Sequence, residues 1–138
     1  MRLVGFNFTR ISVEKKNNLT SAPKLKTEIN VTEIKELPSE VFKTKEIALE
    51  LKFSYSITYD PEIAQLDFEG TMVLLIDPKE AKQIMKDWKN KELSDEFKFK
   101  TFNIILKKSN IRAIQLEDEL NLPTHFQMPT IRFDKKQE

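Results

Sequence analysis

The stretch from Glu46 to Asp77 most constrains what this chain can fold into. From Ile47 to Tyr59 every odd position is apolar: Ile47, Leu49, Leu51, Phe53, Tyr55, Ile57 and Tyr59. The residues between are mostly polar: Glu50, Lys52, Ser54, Ser56 and Thr58. A period of two marks a half-buried strand, because successive side chains point to opposite faces. Past Asp60-Pro61 the even positions carry the apolar set, Ala64, Leu66, Phe68, Met72, Leu74 and Ile76. Asp60-Pro61 predicts a turn: Asp can bond back to the backbone and Pro presets its own φ. Folding the chain so that Asp60 faces Ile63 sets Tyr59 against Ala64, Tyr55 against Phe68, Leu51 against Met72 and Ile47 against Ile76. Both apolar combs then share one face of an antiparallel hairpin, and a one-residue slip would turn one of them into water. Phe53 falls opposite Gly70, where a ring can cover the space a missing side chain leaves. On the other face Ser54 meets Glu69 and Lys52 meets Thr71. A long hairpin with one apolar face must be covered by another part of the chain.

The flanking sequence supplies two more strands and the cover. Arg2 to Lys15 reads as a strand in which Val4, Phe6 and Phe8 share one parity and Ile11 and Val13 the other. That switch predicts a bulge or a change of covering partner. Asn17 to Pro23 reads as a loop, and Lys24 to Ile34 as a strand with Leu25, Ile29 and Val31 alternating. Lys35 to Lys45 is a connection that holds Val41 and Phe42. Asp77 is a good helix cap, Pro78 suits the first helical position and Glu80 has the capping-box spacing. Ala81, Ile84, Met85 and Trp88 form one apolar stripe, and this helix should run to about Lys91. Ser94 caps a longer helix, with Asp95 and Glu96 favourable in its first turn. Its apolar positions include Phe97, Phe102, Ile105, Leu106, Ile111 and Ile114, and it should end before Pro123. Pro123 and Pro129 make the tail from Leu122 to Phe133 extended or irregular, and the last five residues should fray. Strands first and helices after imply an α+β domain: a four-stranded antiparallel sheet with two helices packed on one face. No repeat or domain boundary breaks residues 1–138, so one domain is expected.

Composition removes several classes of function. The chain has 23 basic and 22 acidic residues among 138, a net charge of +1, and nucleic acid is not an expected partner without a basic excess. Two glycines cannot build a glycine-rich phosphate loop, and no cofactor is expected. The absence of cysteine removes disulfides, thiolate metal sites and thiol nucleophiles, and fits a cytoplasmic protein. No apolar run suits a signal peptide or a membrane span, so membrane insertion is not expected. Asn18-Leu19-Thr20 and Asn30-Val31-Thr32 match the glycosylation pattern, and without a secretory signal both read as chance.

Few residues point to chemistry. The only histidine, His125, cannot build a usual zinc site without cysteine, and it reads as a surface or packing residue. An enzyme using His125 as a general base with nearby carboxylates is the weakest reading, since no activated serine or paired carboxylate motif stands near it. Glu117-Asp118-Glu119 and Asp67 with Glu69 could hold a cation through oxygen but read as solvated faces, so no metal is expected. The aromatics say more. Ten phenylalanines is a high number for this length, and Phe6, Phe8, Phe42, Phe99 and Phe126 fall outside the predicted core. Two readings are open for them: packing under loops or at subunit contacts, or an exposed apolar groove that binds other proteins.

The order of these features resembles SecB, the export chaperone family. The resemblance rests on the hairpin ending in Leu66-Asp67-Phe68-Glu69-Gly70-Thr71-Met72-Val73 and the short helix after it. It also rests on Phe102-Asn103-Ile104-Ile105-Leu106 and on Leu122-Pro123 followed by Met128-Pro129-Thr130-Ile131-Arg132-Phe133. It spans the chain from the first strand to Phe133. It implies a homo-oligomer, a dimer of dimers with the long helices sandwiched between sheets, and an ATP-independent holdase that binds unfolded client polypeptides through apolar grooves. The client-binding residues it points to are Phe6, Phe8, Phe42, Phe126 and Met128. Asp67 and Glu69 lie on the strand that matches the family's docking surface for the motor SecA. Typical members are strongly acidic there and carry an acidic C-terminal extension. This chain is nearly neutral and ends Lys135-Lys136-Gln137-Glu138, which counts against SecA and gives a dedicated client, such as an antitoxin, at least the standing of general export. An alternative reading is a carrier of a small apolar ligand, with a pocket between sheet and helix.

Overall fold

The computed structural model describes residues 1–18, 22–38 and 44–131. Four strands precede two helices: β1 (Arg2–Lys15), β2 (Lys24–Glu36), β3 (Ile47–Asp60), β4 (Ala64–Ile76), α1 (Pro78–Lys89) and α2 (Asp95–Glu119). The strands form one antiparallel sheet in the order β1-β4-β3-β2, so β1 and β2 are its edges.

The central hairpin has the register that its two combs require: Tyr59 pairs with Ala64, Tyr55 with Phe68, Phe53 with Gly70, Leu51 with Met72 and Ile47 with Ile76. Leu49, Leu51, Ile57, Leu66, Phe68, Met72, Leu74 and Ile76 are fully buried. Each such side chain contributes about 1.5–3 kcal/mol by leaving water. A slip that exposed four of them would forfeit roughly 6–12 kcal/mol, comparable to the ~5–15 kcal/mol net stability of a small protein. Register is therefore fixed by burial and not by the turn alone.

Both edge strands carry an irregularity. In β1 the pairing with β4 shifts between Leu3 and Gly5 and again between Phe8 and Arg10. The second shift lies where apolar parity changes from Phe6 and Phe8 to Ile11 and Val13, as the sequence pattern requires. In β2 the shift falls between Val31 and Glu33, and the Thr32 hydroxyl donates to the Lys52 carbonyl at 3.3 Å. β2 also runs two residues beyond the expected Ile34, to Glu36.

The helices start where their caps predict. The Asp77 carboxylate accepts from the Lys79 N–H, one residue earlier than the capping-box spacing with Glu80, and the Ser94 hydroxyl accepts from the Phe97 N–H. α1 ends at Lys89, slightly before the expected Lys91, and buries Ala81 and Ile84. α2 buries Phe97, Thr101, Ile105, Ser109, Ala113, Leu116 and Glu117. Ile111, expected among the apolar positions, lies on the outer side and is 57% exposed. The stripe that meets the sheet is narrow, and three of its seven members carry polar groups. Both helices approach the sheet chiefly over β2 and β3.

Candidate functional site

A groove lies where the β2 edge meets the junction of the helices. β2 contributes Ile29, Asn30, Val31 and Thr32, α1 contributes Trp88 and Lys89, the link contributes Lys91 and Leu93, and α2 contributes Lys98 and Phe102. Its volume is about 760 Å³. Ile29, Val31, Trp88, Leu93 and Phe102 are half-buried against the core and form an apolar floor. The positive φ of Lys91, 56°, turns the chain from α1 toward α2 and places Leu93 at the floor. Asn30, Thr32 and the three lysines are exposed and form the rim. No carboxylate, histidine or hydroxyl pair stands here that could carry acid-base chemistry. An apolar side chain entering the groove would leave water at about 25 cal/mol per Å². Sequence periodicity showed Trp88 as part of the α1 stripe and gave no sign that it would face the β2 edge.

The residues expected to bind clients fall in separate places. Phe6 and Phe8 are half-buried on the comb face at the β1 edge. Phe6 stacks on Phe53 with ring centroids 5.0 Å apart, Phe8 tilts over Phe68 at 5.2 Å, and the two meet each other edge to face. They cover Phe53 and Phe68 from one side and keep one side open. Phe126 and Met128 are exposed in the tail, at 40% and 41%. Phe99 is the most open phenylalanine of the described chain, 72% exposed on the outer side of α2. Phe42 lies outside the described residues.

The docking candidates Asp67 and Glu69 lie on the face of the sheet away from the helices. Asp67 accepts from the Gln65 side-chain amide at 3.0 Å, and Glu69 is 3.7 Å from Arg10. On the same sheet Lys52 meets Glu33 at 3.1 Å and Lys35 meets Glu50 at 3.4 Å. The face is a mosaic of opposite charges at the surface, each pair worth about 0–1 kcal/mol.

His125 is a packing residue, and it belongs to a polar network that the sequence did not disclose. Its side chain is 5% exposed and that of Glu117 is 0% exposed. His125 Nδ1 donates to Glu117 Oε1 at 2.9 Å, and Nε2 lies 2.7 Å from Asn110 Oδ1 and 3.2 Å from the Tyr55 hydroxyl. Tyr55 donates to Asn110 Oδ1 at 2.8 Å. Tyr59 donates to the other oxygen of Glu117. The chain reaches this position because Asn121, with φ of 53°, ends α2 and Leu122 donates its N–H to the Glu117 carbonyl. Lys15 caps the same helix end through the Leu120 carbonyl at 3.1 Å. The network thus ties the tail to α2 and to β3, and holds Phe126 edge to face against the imidazole at 4.9 Å. Two tyrosines, an asparagine and a glutamate far apart in sequence give no local signal of such a cluster.

Burial raises the phenol of Tyr55 above its ordinary value near 10, with the Glu117 carboxylate adding to the effect. Burial likewise raises Tyr59, which also donates its proton to Glu117. The native state therefore keeps protons that the unfolded chain releases near pH 10. Stability should be unaffected by these groups below that pH and should fall as pH rises above it. The check is the urea midpoint between neutral pH and strong alkali, where Tyr59→Phe should lessen the alkaline slope.

Among the described residues no cluster of three or more His, Cys, Asp or Glu side chains could hold a metal ion, and no helix is long and apolar enough to cross a membrane. The sheet order, the strand lengths and the two following helices define the SecB-like α+β fold. A solved structure with this fold is the Mycobacterium tuberculosis Rv1957 SecB-like chaperone in complex with a ChAD peptide from the Rv1956 HigA1 antitoxin. The likeness has a TM-score of 0.57 at 12% identity and covers 92% of this chain and 85% of that one. No family model matches the chain, and no curated protein matches it.

Proposed function

We propose that this chain is an ATP-independent holdase, a non-enzymatic chaperone that binds non-native polypeptides and keeps them from aggregating. The observation that carries this reading is the apolar groove of about 760 Å³ beside an open strand edge, on a fold shared with a chaperone solved in complex with an antitoxin peptide. Non-native chains expose apolar side chains, and a groove floored by Trp88, Phe102, Leu93, Ile29 and Val31 accepts them without requiring one sequence. Phe6 and Phe8 at the opposite edge, and Phe126 and Met128 in the tail, offer further apolar contact for an extended client. Phe99 and Ile111 on the outer side of α2 suit contact with a second copy, in keeping with a dimer of dimers. The charge mosaic around Asp67 and Glu69 offers no acidic field for a motor such as SecA, which favours a dedicated client such as an antitoxin over general export. The small-ligand carrier is disfavoured, because the groove opens to solvent between exposed lysines and encloses nothing.

The test is light scattering of a reduced, unfolded client with stoichiometric protein and no nucleotide. Delayed aggregation is expected, and an unchanged aggregation rate would sink the proposal. Trp88→Ala should raise the ratio of protein to client needed for half protection about tenfold, as loss of a central aromatic anchor does. The same variant should keep its strand and helix content by circular dichroism, since Trp88 is half-buried at the end of α1.

A further inference from the structure

The rim of the client groove is electrically one-sided. Lys89 closes α1, Lys91 lies in the link and Lys98 lies in the first turn of α2. No Asp or Glu lines the groove. None of the three lysines has an ion-pair partner among the described residues, whereas Arg2, Arg10, Lys26, Lys35, Lys52 and Lys100 each have one. Of the acidic residues close to them in sequence, Asp87 accepts from Gln83 and Glu96 pairs with Lys100, while Glu92 and Asp95 are exposed and do not line the groove. The whole chain carries a net charge of only +1, so this local excess is not a consequence of a basic composition.

We infer that the groove selects client segments in which an apolar anchor is flanked by Asp or Glu. This rests on the reading of the groove as the client site. The apolar floor takes the anchor, and the unanswered cations on the rim favour carboxylates on either side of it and repel lysine or arginine. The β2 edge bears the irregularity at Thr32, whose hydroxyl is turned to its own sheet, and such a bulge blunts strand addition. Discrimination therefore falls to side chains and charge more than to backbone pairing. A fatty acid would also match a lysine-rimmed apolar groove. The exposed amide of Asn30 and the flanking backbone of the strand edge favour a peptide, which has polar groups along its whole length.

Trp88 is the only tryptophan of the chain and lies in the groove, so its fluorescence reports occupancy. Three peptides of one length, with a Leu-Phe-Leu centre flanked by Asp, by Asn or by Lys, would be titrated into the full chain at about 0.15 M salt. The Asp-flanked peptide should bind about tenfold more tightly than the Asn-flanked one, as two or three rim pairs of a few-fold each would give, and the Lys-flanked one more weakly than either. The spread should collapse near 1 M salt, where screening reaches about 3 Å. In the double variant Lys89→Glu, Lys98→Glu the order should reverse; the salt series decides the matter if that variant does not fold. Equal affinity for the three peptides overturns the charge selection and leaves the groove as a client site. No Trp88 response to any of them overturns the groove reading itself. Saturation by palmitate with no response to peptides overturns both in favour of a lipid ligand.

Discussion

Gly70→Ala should cost the fold about 3 kcal/mol, whereas Gly5→Ala should leave it unchanged or raise its stability by about 0.5 kcal/mol. The contrast comes from what a methyl group would meet. At Gly70 a Cβ would stand 2.6 Å from Cζ of Phe53 and closer still to the carbonyl oxygen of Asn7. Phe53 can move only by leaving its stack with Phe6, and the Asn7 carbonyl belongs to the β1 backbone that pairs with β4. At Gly5 the nearest atoms are those of Val73 at 3.6 and 3.7 Å, an ordinary contact. Neither glycine has positive φ, so the difference is one of space and not of backbone freedom. Urea denaturation of the two variants measures it. Phe53→Leu in the Gly70→Ala background should recover only part of the loss, because the backbone obstruction remains. Full recovery would show that the ring alone fills the space.

That pair also shows how far the fold was legible. Opposing Phe53 to Gly70 needed only the two combs and the turn, because period-two burial leaves one register and one face. The parity switch in β1 located the second of its two irregularities and not the first, between Leu3 and Gly5, and Asp77, Pro78 and Ser94 located both helix starts. Helix α2 was read less well. Hydrophobic periodicity sees Phe97, Phe102, Ile105, Leu106, Ile111 and Ile114; Phe97 and Ile105 are buried as expected, but the rest of the buried face is Thr101, Ser109, Ala113, Leu116 and Glu117. Small side chains let the helix lie close to the strands, a hydroxyl enters the interior when its own helix supplies an acceptor, and a carboxylate enters when neighbours at long sequence distance supply its bonds. Thr101 does this locally, donating to the Phe97 carbonyl at 2.9 Å, and Glu117 does it through β3 and the tail. No pattern within a window of the sequence contains the partners of Glu117.

The same reasoning applies to function. Phe6, Phe8, Phe126 and Met128 were singled out because they did not fit the core pattern. Trp88 and Phe102 escaped notice because they did fit it: each lies on a helix face that begins at the core and ends at the surface. A stripe predicts that a residue faces the protein, but not where the protein stops. The edge of the sheet sets that limit. With β2 outermost and both helices lying over β2 and β3, the last apolar residues of the helix junction overhang the edge, and a groove results.

Glu117→Ala should be the most damaging single change in the tail region, at about 3–5 kcal/mol, since two buried donors lose their acceptor and a cavity opens. The Glu117 carboxylate accepts from both His125 and Tyr59, with its side chain wholly buried. Its removal leaves a phenol and an imidazole N–H without their acceptor and opens a cavity beneath the tail. Glu117→Gln keeps the volume and one acceptor oxygen, but its amide nitrogen must face the second donor, so about 1–2 kcal/mol should be lost. The order of the two variants separates lost packing from lost hydrogen bonding. Similar losses would mean that charge and acceptor number are both needed, and a harmless Glu117→Ala would show that the network contributes nothing to stability. Because His125 is bound to the same carboxylate, the effect should not stay local. Limited proteolysis should cut Glu117→Ala near Phe126 much faster than the parent chain. Client protection should fall in the same variant if Phe126 and Met128 contact the client, and should hold at temperatures where the sheet is intact if the β2 groove alone binds it.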